Sequence, residues 1–334
     1  MQSRGRESSH MKSFVTGGAG FIGSSLVDRL LAARREVVVF DNFSTGRMEF
    51  LEQATRVPGF TLIRGDLLNL ADLTEAMRGC NFVFHLAANA DVRFGTQHPG
   101  KDFEQNSLAT LHVLEAMRAT GIQEIAFSST GSIYGEPQVF PTPEGALFPI
   151  QTSLYGASKL AAEGLIEAYC EGFGFRGWIF RFVSILGERY THGHVFDFYW
   201  QLCEHPNLLH VLGDGNQRKS YLYIQDCIDA IFVAIQKAKH KVNIFNLGTD
   251  HYCSVKDSIS WITQELGVDP QIRFSGGQRG WVGDSPFIFL DCSRMRNLGW
   301  EPKETIREAI LRTLHYLESN PQISETRSLI GQAK

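Results

Sequence analysis

The stretch VTGGAGFIG at residues 15–23 leaves a chain few ways to fold. A short apolar run, Ser13 to Thr16, leads into it and reads as a strand, and Ser24 to Ala33 follows as a helix, with Gly17, Gly20 and Gly23 at GxxGxxG spacing between them. Glycines at a strand–turn–helix junction let backbone approach a pyrophosphate closely, and the helix start offers unpaired amides and a partial positive charge to the anion. The next apolar run, Glu36 to Phe40, ends in Asp41, eighteen residues after Gly23. A carboxylate there can accept hydrogen bonds from both hydroxyls of an adenosine ribose and repels a 2′-phosphate. The unit therefore reads as an NAD site, and Arg47 is the nearby residue that argues for NADP.

Further along, short apolar runs alternate with helical patterns, the signature of an α/β chain with a doubly wound parallel sheet. Thr61 to Arg64 leads into Gly65 and Asp66, and Phe82 to Leu86, Glu124 to Ser128 and Gly177 to Val183 are the strands expected next. Ligands of such sheets bind beyond the carboxyl ends of the strands. Asp66, Ala87, Ala88, Thr130 and Ser184 are thus expected around one cleft, the alanines being small enough for a cofactor to lie against backbone.

Tyr155 and Lys159, in SLYGASKLAAEG, stand four apart in a helix-forming stretch, so a phenol and an ammonium project from one face. A tyrosine working as a base near neutral pH needs its pKa lowered by roughly three units, about 4 kcal/mol, and a lysine cation has the right sign to do it. Alone, the pair reads as a surface tyrosine beside a solvated lysine. Behind a dinucleotide turn it reads as a hydride-transfer site.

TGGAGFIG, DNFSTG, RGDLLN, HLAA, FSSTGSIYG and YxxxK occur in the order and spacing of the extended short-chain dehydrogenase/reductase family. From about Lys12 to the neighbourhood of Leu317 the chain particularly resembles nucleotide-sugar 4-epimerases of the UDP-galactose 4-epimerase type. The resemblance implies a Rossmann-type NAD-binding domain over 11–183 with a returning segment at about 221–249. It also implies a smaller α+β domain for the nucleotide sugar over 184–220 and 250–330, and a homodimer. Tyr155, Lys159 and Thr130 become the catalytic groups, with Ser132 beside them. The cofactor is expected to meet Phe21 and Ile22 in the glycine turn, and Asn42, Ser44, Thr45 and Gly46 after Asp41. Asp66 and Leu67 are expected at the adenine, Leu86 with the two alanines, and Asn106, Ser128 and Phe182 elsewhere along it. For the substrate the implied residues are Ser184, His194, Val195, Val211 and Tyr221, with Arg218, Lys219 and Arg279 as cations for the diphosphate.

Departures from the family pattern carry information. Related 4,6-dehydratases resemble STDEVYG where this chain has Gly131 and Ser132, so the acid and base that elimination of water requires are missing. The family's RYFN appears as Arg181, Phe182, Val183 and Ser184, a hydroxyl replacing the asparagine. Arg279 falls two residues before the usual arginine position, which holds Trp281, and Ile288 occupies the neighbourhood that sets hexose size. The identity of sugar and nucleotide stays open. So do two other classes: a net nucleotide-sugar dehydrogenase or reductase, and a non-catalytic NAD-binding regulatory protein, whose members commonly lose the tyrosine or lysine.

With 334 residues, 43% of them hydrophobic, the chain can bury a core large enough for two domains. A net charge of −4 leaves no basic surplus for nucleic acid or anionic membrane, and no run of eighteen apolar residues occurs. The polar residues 1–10 read as a disordered leader. Six scattered cysteines without a CxxC pair suggest a reducing cytoplasm and no metal site. The helices expected at Asp102 to Ala119 and Ser153 to Cys170, with Leu108, Leu111, Leu114, Leu165 and Ile166, could meet a second copy or pack within one chain.

Overall fold

The computed structural model describes residues 11–89, 96, 98–148 and 150–324; the leader at 1–10 and the end of the second domain at 325–330 lie outside them. Strands β1 (Lys12–Thr16), β2 (Glu36–Asp41), β3 (Phe60–Arg64), β4 (Phe82–His85), β5 (Glu124–Thr130) and β6 (Arg176–Phe182) pair in parallel in the order 6-5-4-1-2-3. A seventh strand, Val242–Leu247, returns from late in the sequence to pair in parallel with β6. The order reverses between β1 and β4, and there a ligand crevice opens beyond the strand ends.

Both faces of this sheet are covered, which is why its strands read as continuous apolar runs rather than alternating ones. Side chains still alternate between two cores. Val15, Val37, Val39, Phe84, Trp178 and Phe180 point to one, and Phe14, Val38, Phe40, Val83, Phe127 and Ile179 to the other. Each fully buried residue of this size contributes about 1.5–3 kcal/mol.

Helix α1 (Phe21–Ala32) follows the glycine turn with Gly20 as its N-cap, and it begins three residues before the expected Ser24. Gly20 has no side chain to cap with, so the first amides of α1 face the crevice. The stretch expected as one helix from Asp102 is broken: a turn at Pro99–Asp102 runs into a π-helical turn, Phe103–Leu108, and then a regular helix, Ala109–Thr120. The Leu154–Phe173 helix is capped by Ser153, whose hydroxyl accepts from the Gly156 amide. These two regular helices pack Leu114 and Ile166 into the core of one chain.

The remaining described residues, 184–324, form short strands and helices and the strand that returns to the sheet, and they share a hydrophobic core with one face of it. Segment 208–226 contains short strands at Leu208–Val211, Arg218–Lys219 and Tyr221–Tyr223, then turns helical at Ile224–Lys237. Cys227, Ile228, Ile231 and Ala234 recur at helical spacing there and are buried. Helices His194–Glu204, Val255–Leu266 and Ile306–Ser319 pack on one another, the last two held by capping boxes from Ser254 with Asp257 and Thr305 with Glu308. Among the described residues no helix is long and apolar enough to cross a membrane, and all six cysteines are free thiols.

Candidate active site

The turn after β1 is shaped by the absence of side chains. A Cβ at Gly23 would lie 2.0 Å from the Gly17 carbonyl oxygen, and one at Gly17, whose φ is +69°, would lie 2.7 Å from the Ala87 amide nitrogen. Ala87 and Ala88 line the same crevice from the end of β4, each half-buried. Asp41, 8% exposed, is aimed by two backbone donors, Ala19 N–H to Oδ2 at 2.9 Å and Phe43 N–H to Oδ1 at 2.8 Å. Each oxygen keeps a lone pair for a ribose hydroxyl. Gly46 lies against this carboxylate, where a Cβ would come 2.9 Å from Oδ1. Ser44 and Thr45 are exposed, while Asn42 donates to Asp66, whose other oxygen accepts from Leu68 N–H. This cradle fits a dinucleotide with an unphosphorylated ribose. Arg47 is turned away, donating through Nη1 to the Ile323 carbonyl and through Nη2 to that of Gln322, at 3.2 and 3.4 Å.

His85 ties this cradle to the Leu154–Phe173 helix. The Thr110 hydroxyl donates to the Asn106 carbonyl at 2.5 Å, so at His85 Nε2 it can only accept, and the ring carries its proton on Nε2. Nδ1 then accepts from the Thr16 hydroxyl at 2.8 Å, and that oxygen accepts from the amides of Leu86 and Ala87. Complete burial pushes the imidazole down to about 3, so it stays neutral. Asn106 continues the chain of bonds, accepting from Asn89 N–H at 2.9 Å and donating to the Ser158 hydroxyl at 2.8 Å. Ser128 and Phe182 are buried at neighbouring strand ends, and Ser128 donates to the His85 carbonyl. Asn106, Ser128 and Phe182 thus act on the cleft largely by fixing its walls.

Tyr155 sits in the first turn of the Leu154–Phe173 helix with Lys159 one turn on. Thr130, at the end of β5, is near enough to the phenol to lower its pKa; its hydroxyl donates to the Ser132 hydroxyl at 3.2 Å and caps the following turn by accepting from Ser132 N–H at 3.1 Å. The chain's own groups do not lower the tyrosine as expected: burial pushes Tyr155 up to about 12, Thr130 works against this, and Asp102 adds to the rise. Lys159 fails to counter it because burial pushes its own pKa down to about 7. The lysine is 1% exposed, its Nζ 4.1 Å from the centre of the Phe127 ring.

On the substrate side the structure separates two cations expected to act together. Arg218 and Lys219 are neighbours on a strand, so they point to opposite faces. Lys219, beside Ile288, turns inward to Asp284 at 2.6 Å. The Ile288 side chain lies on that inner face, within ordinary contact of where a Cβ on Gly131 would stand. Arg218, beside Phe287, lies on the outer face, 4.0 Å from that ring and 5.5 Å from Tyr252. Arg218, expected as a diphosphate contact, is thus exposed on the face opposite Lys219. Arg279 pairs with Glu136, across from the turn after β5. Val195, Val211 and Tyr221 are buried in the second lobe, and His194 is held by the Ser258 hydroxyl at 2.7 Å, its pKa pushed down to about 3 by burial. Ser184 is exposed just past β6. Asp284 and Glu136 escaped the sequence reading altogether.

Fold and cleft together define a class: an NAD-dependent enzyme of hydride-transfer chemistry, with a tyrosine and a lysine on one helix face available for the accompanying proton transfer. Comparison with known proteins narrows it. Over residues 13–248 the chain matches the NAD dependent epimerase/dehydratase family, and it belongs to that family. It is 32% identical to a putative UDP-glucose 4-epimerase of Methanocaldococcus jannaschii, over 92% of this chain and 98% of the relative. A crystal structure of a UDP-galactose 4-epimerase superposes with a TM-score of 0.83 at 36% identity, covering 93% of this chain and 99% of the other. That of the UDP-glucuronic acid 4-epimerase of Bacillus cereus, bound to UDP-glucuronic acid and NAD, gives 0.85 at 28% identity, covering 92% and 99%. The chain is an isomerase, an NAD-dependent nucleotide-sugar 4-epimerase.

Proposed function

We propose that the chain inverts carbon 4 of a UDP-linked hexose, with Tyr155, Lys159 and Thr130 as its catalytic groups. The observation that carries this reading is the Thr130 hydroxyl set near the Tyr155 phenol, whose pKa it lowers, at a turn where Gly131 and Ser132 offer no carboxylate for dehydration. NAD, held by the glycine turn, Asp41 and the backbone at Ala87, supplies the hydride acceptor and donor. Tyr155 as phenolate takes the proton of the 4-hydroxyl, and Thr130 holds that oxygen as it becomes a ketone. Lys159 as ammonium stabilises the phenolate and hydrogen-bonds the nicotinamide ribose. The keto sugar turns over in the cleft, and Tyr155 returns the proton when the opposite face is reduced. Lys219 is the cation for the diphosphate, exchanging Asp284 for phosphate oxygens, and Arg279 is a second one at the rim.

UDP is proposed because the relatives named above act on UDP sugars. Incubating the NAD-loaded protein with UDP-galactose, UDP-N-acetylgalactosamine and UDP-galacturonate tests the reading. Conversion of at least one, without net NADH, is expected; three unchanged sugars would remove it. A cytoplasmic homodimer completes the proposal. Its contact is the pair of helices Ala109–Thr120 and Leu154–Phe173, where Leu111 and Leu165 stay only partly covered and Leu154 is 45% exposed. Light scattering at twice the chain mass would support it.

A further inference from the structure

Tyr155, Lys159 and Glu163 follow one another at four-residue steps along one face of the same helix. Glu163 is 1% exposed and accepts three kinds of bond: from the Ser129 hydroxyl, from Arg181 Nε at 3.2 Å, and from Arg181 Nη2 at 2.7 Å. Arg181, 2% exposed on β6, is itself fixed by donating through Nη1 to the Tyr134 hydroxyl at 2.8 Å and the Glu144 carbonyl at 2.9 Å. Apolar residues of similar volume are often at least as stable as a buried ion pair, so stability alone does not account for it.

What the pair adjoins is the catalytic lysine. Lys159 has the Phe127 ring on one side and Glu163 one turn away, and Glu163 is the charge that raises its pKa against burial. Other titratable groups face the region from each packed element. His85 lies beyond Phe127 and is neutral, Asp102 acts on Tyr155, and Glu167 stands a further turn along the helix. Arg181 faces it from β6, and its charge is taken up by Glu163.

We propose that the Glu163–Arg181 pair is a positioning device for the reaction. It keeps one anion fixed a turn behind Lys159, so that the lysine stays an ammonium while Tyr155 becomes a phenolate. The proposal rests on the assignment of Tyr155 and Lys159 given above. Arg181 and Ser129 tether the carboxylate, so it biases the lysine without swinging over to take its proton. Phenolate with ammonium holds as many protons as phenol with amine, so the ratio of the two is independent of pH and is set by such neighbouring charges.

The test is the pH dependence of kcat, between about pH 5 and 9, for NAD-loaded enzyme. Glu163→Gln removes the anion and leaves the Arg181 cation facing Lys159. Its plateau kcat is expected to fall about tenfold or more and its acid limb to move down by about one pH unit, with KM little changed. Glu163→Gln/Arg181→Met leaves no lone charge in the core and is expected to show a smaller move in the same direction; Glu163→Asp is expected to restore the limb. A folded Glu163→Gln enzyme whose acid limb stays at the wild-type pH overturns the proposal, whatever its kcat. Should that variant not fold, an unshifted limb in the double variant overturns it equally. Retained turnover in Tyr155→Phe would instead sink the underlying assignment.

Discussion

On the cofactor side the turn from Gly17 to Gly23 takes its shape from side chains that are absent, and Asp41 is aimed by two backbone amides. On the substrate side Lys219 and Arg279 are each held by a carboxylate, Asp284 and Glu136, brought from distant parts of the chain. The first arrangement is rigid and encoded within a few residues. The second is a set of ion pairs, and on the reading proposed above a diphosphate would replace one anionic partner with another. Cofactor retention should therefore respond to steric changes, and substrate affinity to charge.

The largest effect is expected between the two regions, at Tyr155. Tyr155→Phe should lower kcat by about 10²–10⁴-fold while released NAD, measured after denaturing the purified protein, stays stoichiometric. Loss of bound NAD in that variant would show that the two regions are not separable. Gly23→Ala comes next: its methyl group meets the Gly17 carbonyl, so the protein should emerge without NAD and be destabilised by about 1–3 kcal/mol in urea unfolding.

The substrate side separates more finely. Lys219→Met should raise KM for the nucleotide sugar about tenfold, roughly 1.4 kcal/mol, whereas Arg218→Met on the outer face should leave KM unchanged. Equal effects would undo the assignment of opposite faces. Arg279→Ala should be the mildest, a KM rise of about two- to fivefold, because an exposed ion pair is worth about 0–1 kcal/mol and its loss leaves no buried charge behind.

What was legible in the sequence follows the same division. The glycine turn, Asp41 and the four-residue step from Tyr155 to Lys159 are local patterns, and the step from Tyr155 to Lys159 took on meaning only behind the glycine turn. Thr130 needed the family pattern, since a threonine after a strand is as readily a cap, and here it caps the turn while standing near the phenol. The pairs Lys219–Asp284 and Arg279–Glu136 span 65 and 143 residues and leave no local trace. Arg218 was misplaced because a two-residue strand carries too little pattern to reveal which neighbour points inward. Glu163 could have been found, since it repeats the spacing that links Tyr155 to Lys159. The rise in the Tyr155 pKa could not, because it comes from burial that only the packed lobes produce.

The turn of Arg47 toward the carbonyls of Gln322 and Ile323 bears on coenzyme engineering. Neutralising Asp41 would remove the repulsion of a 2′-phosphate, but the guanidinium best placed to welcome that phosphate is already engaged by the far end of the chain. A switch to NADP would thus require redesign around residue 322 as well as residue 41. The chain's last described turn serves, in effect, as a lock on coenzyme choice.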